Sequence, residues 1–139
     1  MPTLTKVYSF IEAVFEKKHD FSADTFKIML TNTAPSLSNT QKSDITEISA
    51  GNGYSAGGIS LTITSSSQSN GLWTWIVADA SLTASGGSVG PWRYAVLYND
   101  TSTNDLLVGW LDYNYSVTIA SGQTVNFDFD GTSGLLYAS

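Results

Sequence analysis

Apolar residues return at every second position along most of this chain, and only near its start do they return at every third or fourth. There Val7, Phe10, Ile11, Val14 and Phe15 alternate with Glu12, Glu16, Lys17 and Lys18, a spacing that predicts one short amphipathic helix over residues 5–18. Its apolar stripe must be covered, either by the domain's own sheet or by a partner that the helix docks onto. From residue 25 the period is two. Phe26, Ile28 and Leu30 alternate with Lys27, Met29 and Thr31, and the breaker-rich run at residues 32–44 ends that strand. Ile59, Leu61 and Ile63 then alternate with Ser and Thr, as a half-buried strand does. They follow turn formers around Tyr54, where Gly51, Gly53, Gly57 and Gly58 are expected to supply positive φ angles.

Asn70-Gly71 signals a hairpin turn into residues 72–78, with Trp73 and Trp75 on one face and Leu72, Thr74 and Ile76 on the other. Residues 81–91 read as a glycine- and serine-rich connection. They lead to Trp92, Tyr94, Val96 and Tyr98, alternating with Arg93, Ala95 and Leu97, a strand with two covered faces that belongs in the centre of its sheet. A polar turn at residues 99–104 returns into residues 106–115, and residues 117–139 supply two further strands joined at Ser121-Gly122 and a short terminal one. Short strands at intervals of about ten residues, without crossover helices, predict an all-β fold: an antiparallel β-sandwich preceded by a short N-terminal amphipathic helix. Immunoglobulin-like and jelly-roll topologies both fit. One domain is expected over residues 1–139, with residues 1–20 as the helical arm and 21–139 as the sandwich.

Charge narrows the partners. Twelve acidic residues against six basic ones give a net charge of -6, spread along the chain, and binding to nucleic acid through clustered Lys and Arg is not expected. No apolar run approaches the roughly 20 residues of a membrane helix, and the opening residues lack the pattern of a signal peptide, so no membrane partner is expected. Cysteine is absent and only 13% of residues are charged, which leaves a surface of hydroxyl and amide groups suited to an extracellular or particle-borne protein.

Candidate chemistry is sparse. His19 is the single histidine, expected to be exposed at the helix end beside Lys18 and Asp20, and with no cysteine it makes no zinc site of the usual structural kind. A serine nucleophile would lack a triad unless lysine served as its base. Asp128 and Asp130 lie two apart, so on a strand both carboxylates would share a face, the geometry of a calcium site or a glycosidase pair; the plainer reading is a solvated face with Phe127 and Phe129 turned inward. The glycine clusters match no phosphate loop or dinucleotide fingerprint. No catalytic residue, metal ligand or cofactor is therefore assigned. Four Trp and seven Tyr raise the possibility of stacking on sugars, although Trp73, Trp75, Trp92 and Trp110 sit within strand patterns where packing is the commoner use. Arg93, the one arginine, is flanked by Trp92 and Tyr94 and is a candidate for an interface ion pair or a contact over an aromatic ring, an exposed structural salt bridge being the plainer reading.

The order of the segments carries a resemblance. Residues 24–30, the turn at 53–58, the strand at 93–98, Gly109 through Asp112 and Gly134 through Leu136 together resemble the small structural proteins of tailed bacteriophage particles. That family's template has a strand of the type Asp-Thr-Ile-Lys-Val-Ala-Leu, a Gly-Tyr-Thr-Ala-Gly-Gly turn, an Arg-Tyr-Ala-Val-Val-Tyr strand, a Gly-Tyr-Ile-Asp strand and a terminal Gly-Ile-Leu. The stretch before Trp92 departs from it, being longer and richer in glycine. The resemblance implies a virion component without catalytic activity, described as capsid decoration or as a tail part. The expectation is a cement protein, made in the host bacterial cytoplasm, on the outer face of the capsid. Its partners would be the major capsid protein and copies of itself, a trimer being one such arrangement. The contact residues expected are Val7, Phe10, Ile11 and Phe15 of the arm, with Trp92 and Arg93. The alternatives are a tail or tail-fibre-associated protein that binds a glycan or receptor, and a hydrolase resting on Asp128 and Asp130, which lacks a general acid partner.

Overall fold

The first period-two segment becomes β2 (Phe26–Thr31), which in the computed structural model, describing residues 1–139, lies inside a five-stranded antiparallel sheet. The other strands are β1 (Thr5–Lys6), β3 (Ile59–Ser60), β7 (Val89–Asn99) and β8 (Leu107–Ile119), in the order β1-β8-β7-β2-β3. β7 is central, as its two apolar faces predict, and Tyr94, Ala95, Val96, Leu97 and Tyr98 are all buried. The second layer holds β4 (Ile63–Ser69), β5 (Leu72–Val77) and β10 (Leu136–Ala138), in the order β10-β5-β4, and the pair β6 (Ala80–Thr83) and β9 (Thr124–Phe127). Every strand pair is antiparallel, and the molecule is a β-sandwich.

Aromatic side chains join the layers. Phe26 of β2 meets Trp75 of β5 edge to face at 5.0 Å, and Trp92 of β7 meets Phe127 of β9 at 5.6 Å. The Trp75 ring is fully buried and its Nε1–H donates to the Phe21 carbonyl at 2.8 Å, so the one polar atom of the ring is satisfied. At the Asn70-Gly71 turn both residues take positive φ, +51° and +82°, which matches the twist of the β4–β5 hairpin.

Four elements differ from the sequence reading. The helix shrinks to α1 (Phe10–Phe15), because Thr5 and Lys6 pair with Trp110 and Gly109 at the open edge of β8. Gly109 permits this approach: a Cβ there would lie 2.2 Å from the Thr5 carbonyl oxygen. The alternating run at residues 59–63 divides between layers, since Ile59 and Ser60 pair with β2 while Ile63 pairs with Val77 of β5. The stretch expected as a connection contains β6, whose buried Leu82 opposes Val125 of β9. β8 is one strand where two were expected. Its register with β7 jumps from Tyr94↔Asp112 to Trp92↔Val117, so residues 113–116 bulge out, with Asn114 at φ +73°.

Candidate functional site

The arm presents two faces, not one continuous stripe. Val7 and Phe10 are 3% and 8% exposed and belong to the chain's own core, together with Ala13. This corrects their expected role as partner contacts: a two-residue strand followed by a six-residue helix turns them onto the sandwich. Ile11 and Phe15, one helical turn apart, point outward at 59% and 81% exposure. Val14 packs partly against the core between these faces.

Beside Ile11 a groove of about 730 Å³ runs between the arm and the second layer, with Val7, Phe10, Phe21, Trp73 and Leu136 among its apolar walls. Tyr137 of β10, 57% exposed, forms part of its rim, as do Lys6 and Lys17. β1 and β10, which border the groove, are the outer strands of their sheets and leave backbone groups unpaired. Sequence reasoning missed Tyr137; only its place in a terminal period-two strand hinted at exposure.

Trp92 is not a surface residue. It is 2% exposed, packed on Tyr113 at 5.4 Å and Phe127 at 5.6 Å, and its Nε1 has no hydrogen-bond partner. Its expected contact with a partner is corrected on that ground. Arg93 is partly exposed, but its guanidinium is used within the chain. Nε–H donates to Asp112 Oδ1 at 2.8 Å, an Nη2–H donates to Oδ2 at 3.0 Å, and the group lies 5.2 Å from the Tyr94 ring centre. The bidentate pair holds the Asp112 carboxyl below the usual carboxylate range, and Asp112 also accepts from the Asn114 N–H. Arg93 therefore pins the β8 bulge.

No protein-family model, curated protein or solved structure matches this chain. What can be said of chemistry rests on the residues themselves. The chain leaves β9 at Phe127, and Phe127 and Phe129 are both buried as the plainer reading expects, with Asp128 exposed and Asp130 half-buried. Asp130 Oδ1 accepts from the backbone N–H groups of Thr132 and Ser133 at 2.7 and 2.8 Å, so it caps a turn. No group of three or more His, Asp or Glu side chains converges anywhere in the molecule. No helix is long and apolar enough to cross a membrane.

His19 reverses the sequence expectation most sharply, being 8% exposed instead of open to solvent. The chain doubles back after α1 at Lys17, φ +62°, and carries the imidazole into a cage of Phe10, Phe21 and Phe26. Asn99, fully buried, ties this turn to the β7–β8 connection. Its Oδ1 accepts from the Thr101 and Ser102 N–H groups, and its Nδ2 approaches His19 Nδ1 at 3.0 Å and donates to Asp24 Oδ2 at 2.7 Å. Burial holds the imidazole below its ordinary value, with the Asp24 charge pulling the other way.

Proposed function

We propose that this chain is a non-enzymatic structural protein of a tailed-bacteriophage particle, a decoration protein that binds the outer face of the capsid shell and cements it. The observation that carries the reading is the outward apolar face of the arm, Ile11 and Phe15 with Tyr137 on the groove rim. Three large apolar side chains held in water cost free energy that docking returns, at about 1.5–3 kcal/mol for each one fully covered. Further support comes from where the resemblance falls. Its Arg-Tyr and Gly-Tyr-Ile-Asp segments supply Arg93 and Asp112, which meet across β7 and β8. Its turn glycine Gly58 sits where a Cβ would lie 2.0 Å from the Ile28 carbonyl oxygen. These segments are framework.

A protein that binds only the assembled shell stabilises it by mass action, and repeated attachment by symmetry raises the effective concentration of each successive contact. Major capsid protein and copies of this chain are the partners. The tail-associated alternative draws on exposed tryptophans; Trp75 and Trp92 are buried, while Trp73 and Trp110 are half-buried and packed against the core. Quantitative mass spectrometry of purified particles tests the assignment. A decorator is expected in hundreds of copies, whereas about three to twelve, the number set by rotational symmetry, would place the chain in the tail.

A further inference from the structure

The cage around His19 holds a titratable group whose hydrogen bonding permits one protonation state. Asn99 Oδ1 is committed to two backbone donors, Thr101 at 2.9 Å and Ser102 at 3.2 Å, which orients the amide. Nδ2, carrying only hydrogens, therefore faces His19 Nδ1 at 3.0 Å, with Asp24 Oδ2 at 2.7 Å and the Lys18 carbonyl at 3.4 Å as its other acceptors, so Nδ1 suits an acceptor and not a second N–H. The ring proton sits on Nε2, which is buried and has no partner. A second proton, at Nδ1, would meet the Asn99 N–H head on and put a charge among three phenylalanine rings.

Few charges could offset it. On the same turn, the Asp24 carboxylate shares Asn99 Nδ2 with the imidazole and its charge favours the imidazolium, though burial outweighs it, and exposed Asp20 accepts from Ser22. Lys18 pairs with Glu16 at 3.7 Å, and Lys27 of β2 pairs with Asp100 at 3.4 Å. Glu12 of α1 is exposed. Lys6 of β1 and Lys17 line the same groove as His19 and are cationic themselves. β5 adds no charge, its Trp73 and Trp75 packing on Phe21.

The elements joined at this point differ in how firmly they are held. β7 is hydrogen-bonded on both sides, by β2 and β8. The arm is held from one side only, by a two-residue edge strand, by Val7, Phe10 and Phe21 packed on the core, and by the Asn99 contacts. We propose that His19 is a proton-operated latch, whose protonation at Nδ1 breaks the bond from Asn99 and releases the arm, residues 1–24, from a sandwich that stays folded. Release carries away Phe21, and with it the acceptor for Trp75 Nε1 and one wall of the groove. The latch is a property of the isolated chain and does not depend on what the arm docks onto.

The sign follows from linkage. The closed arm disfavours the imidazolium and the open arm does not, so the opening equilibrium is flat above about pH 6.5 and rises about tenfold per pH unit below it. Hydrogen exchange of the full chain, corrected for intrinsic rates, reads this directly at the Val7 and Tyr8 amides, which bond from the arm to the Val108 and Leu37 carbonyls of the body. Protection there is expected to fall as pH drops below about 6.5, by up to about tenfold per pH unit until the closed-state imidazole itself titrates, while β7 amides keep theirs. His19→Gln, which cannot titrate, should abolish the slope. Because that variant could fail to fold, the imidazole resonance of the wild-type chain, a single one, is followed as well, and its midpoint should lie below the ordinary histidine value. Arm protection that stays flat, a slope that survives His19→Gln, simultaneous loss at arm and β7, or an imidazole titrating at its ordinary value with the arm closed would each overturn the proposal.

Discussion

Replacing Ile11 and Phe15 together by serine removes the outward face of the arm without touching the core. Those side chains are 59% and 81% exposed, so docking can still take that share of each out of water. At about 2.5 kcal/mol for full burial of either side chain, the removable part is about 1.5 kcal/mol for Ile11 and about 2 kcal/mol for Phe15. Their sum, about 3.5 kcal/mol, is a loss of a few hundredfold in affinity at a single site. Serine and the residues it replaces have similar helix propensities, so the folded chain should change in stability by no more than about 0.5 kcal/mol. The assay is cosedimentation with shells stripped of this chain, beside a urea melt of the free protein. Phe10→Ser serves as the converse, since a side chain 8% exposed should cost about 3–5 kcal/mol of stability when truncated. Binding by the double variant within about threefold of wild type, or destabilisation like that of Phe10→Ser, would refute the division of the arm into inner and outer faces.

Gly58→Ala, at φ +89° with a Cβ 2.0 Å from the Ile28 carbonyl oxygen, should cost at least about 2 kcal/mol, against about 1 kcal/mol for Gly71→Ala at φ +82° in open space; paired urea melts decide. Tyr113, pushed up to about 12 by burial, stays neutral in the fold above the ordinary phenol value. Stability is therefore lost as pH rises from about 10 to 12, and absorbance titration of wild type against Tyr113→Phe should show one late-ionising phenol missing in the variant. Calcium should leave the melting temperature unchanged, because Asp130 is engaged with Thr132 and Ser133; a calcium-dependent upward shift lost in Asp128→Asn would contradict the turn-cap role.

The alternation of Phe26, Ile28 and Leu30, the strength of Asn70-Gly71 and the doubly apolar run from Trp92 to Tyr98 made β2, the β4–β5 hairpin and the central strand legible, because each is a local pattern. β6 was hidden because its two apolar positions, Ala80 and Leu82, must speak against a glycine-rich context. The stripe from Val7 to Phe15 misled because helical spacing does not reveal that Thr5 and Lys6 find a partner a hundred residues away in β8. His19 and Trp92 failed for a related reason. The polar neighbours Lys18 and Asp20, and the glycines before Trp92, describe the chain nearby, whereas burial comes from Phe10, Phe26 and Asn99 around one and from Tyr113 and Phe127 against the other. Arg93 does form an ion pair, but within the chain and not at an interface, and its partner Asp112 lies across a bulge that no periodicity announces.

Lysine cross-linking of intact purified particles followed by peptide mass spectrometry tests most directly the docking of the arm face on a capsid shell. Lys6 and Lys17, beside the groove and the outward face, are expected to cross-link to the major capsid protein. Particles in which this chain is present and neither lysine reaches the shell protein, or from which the chain is absent, would contradict it.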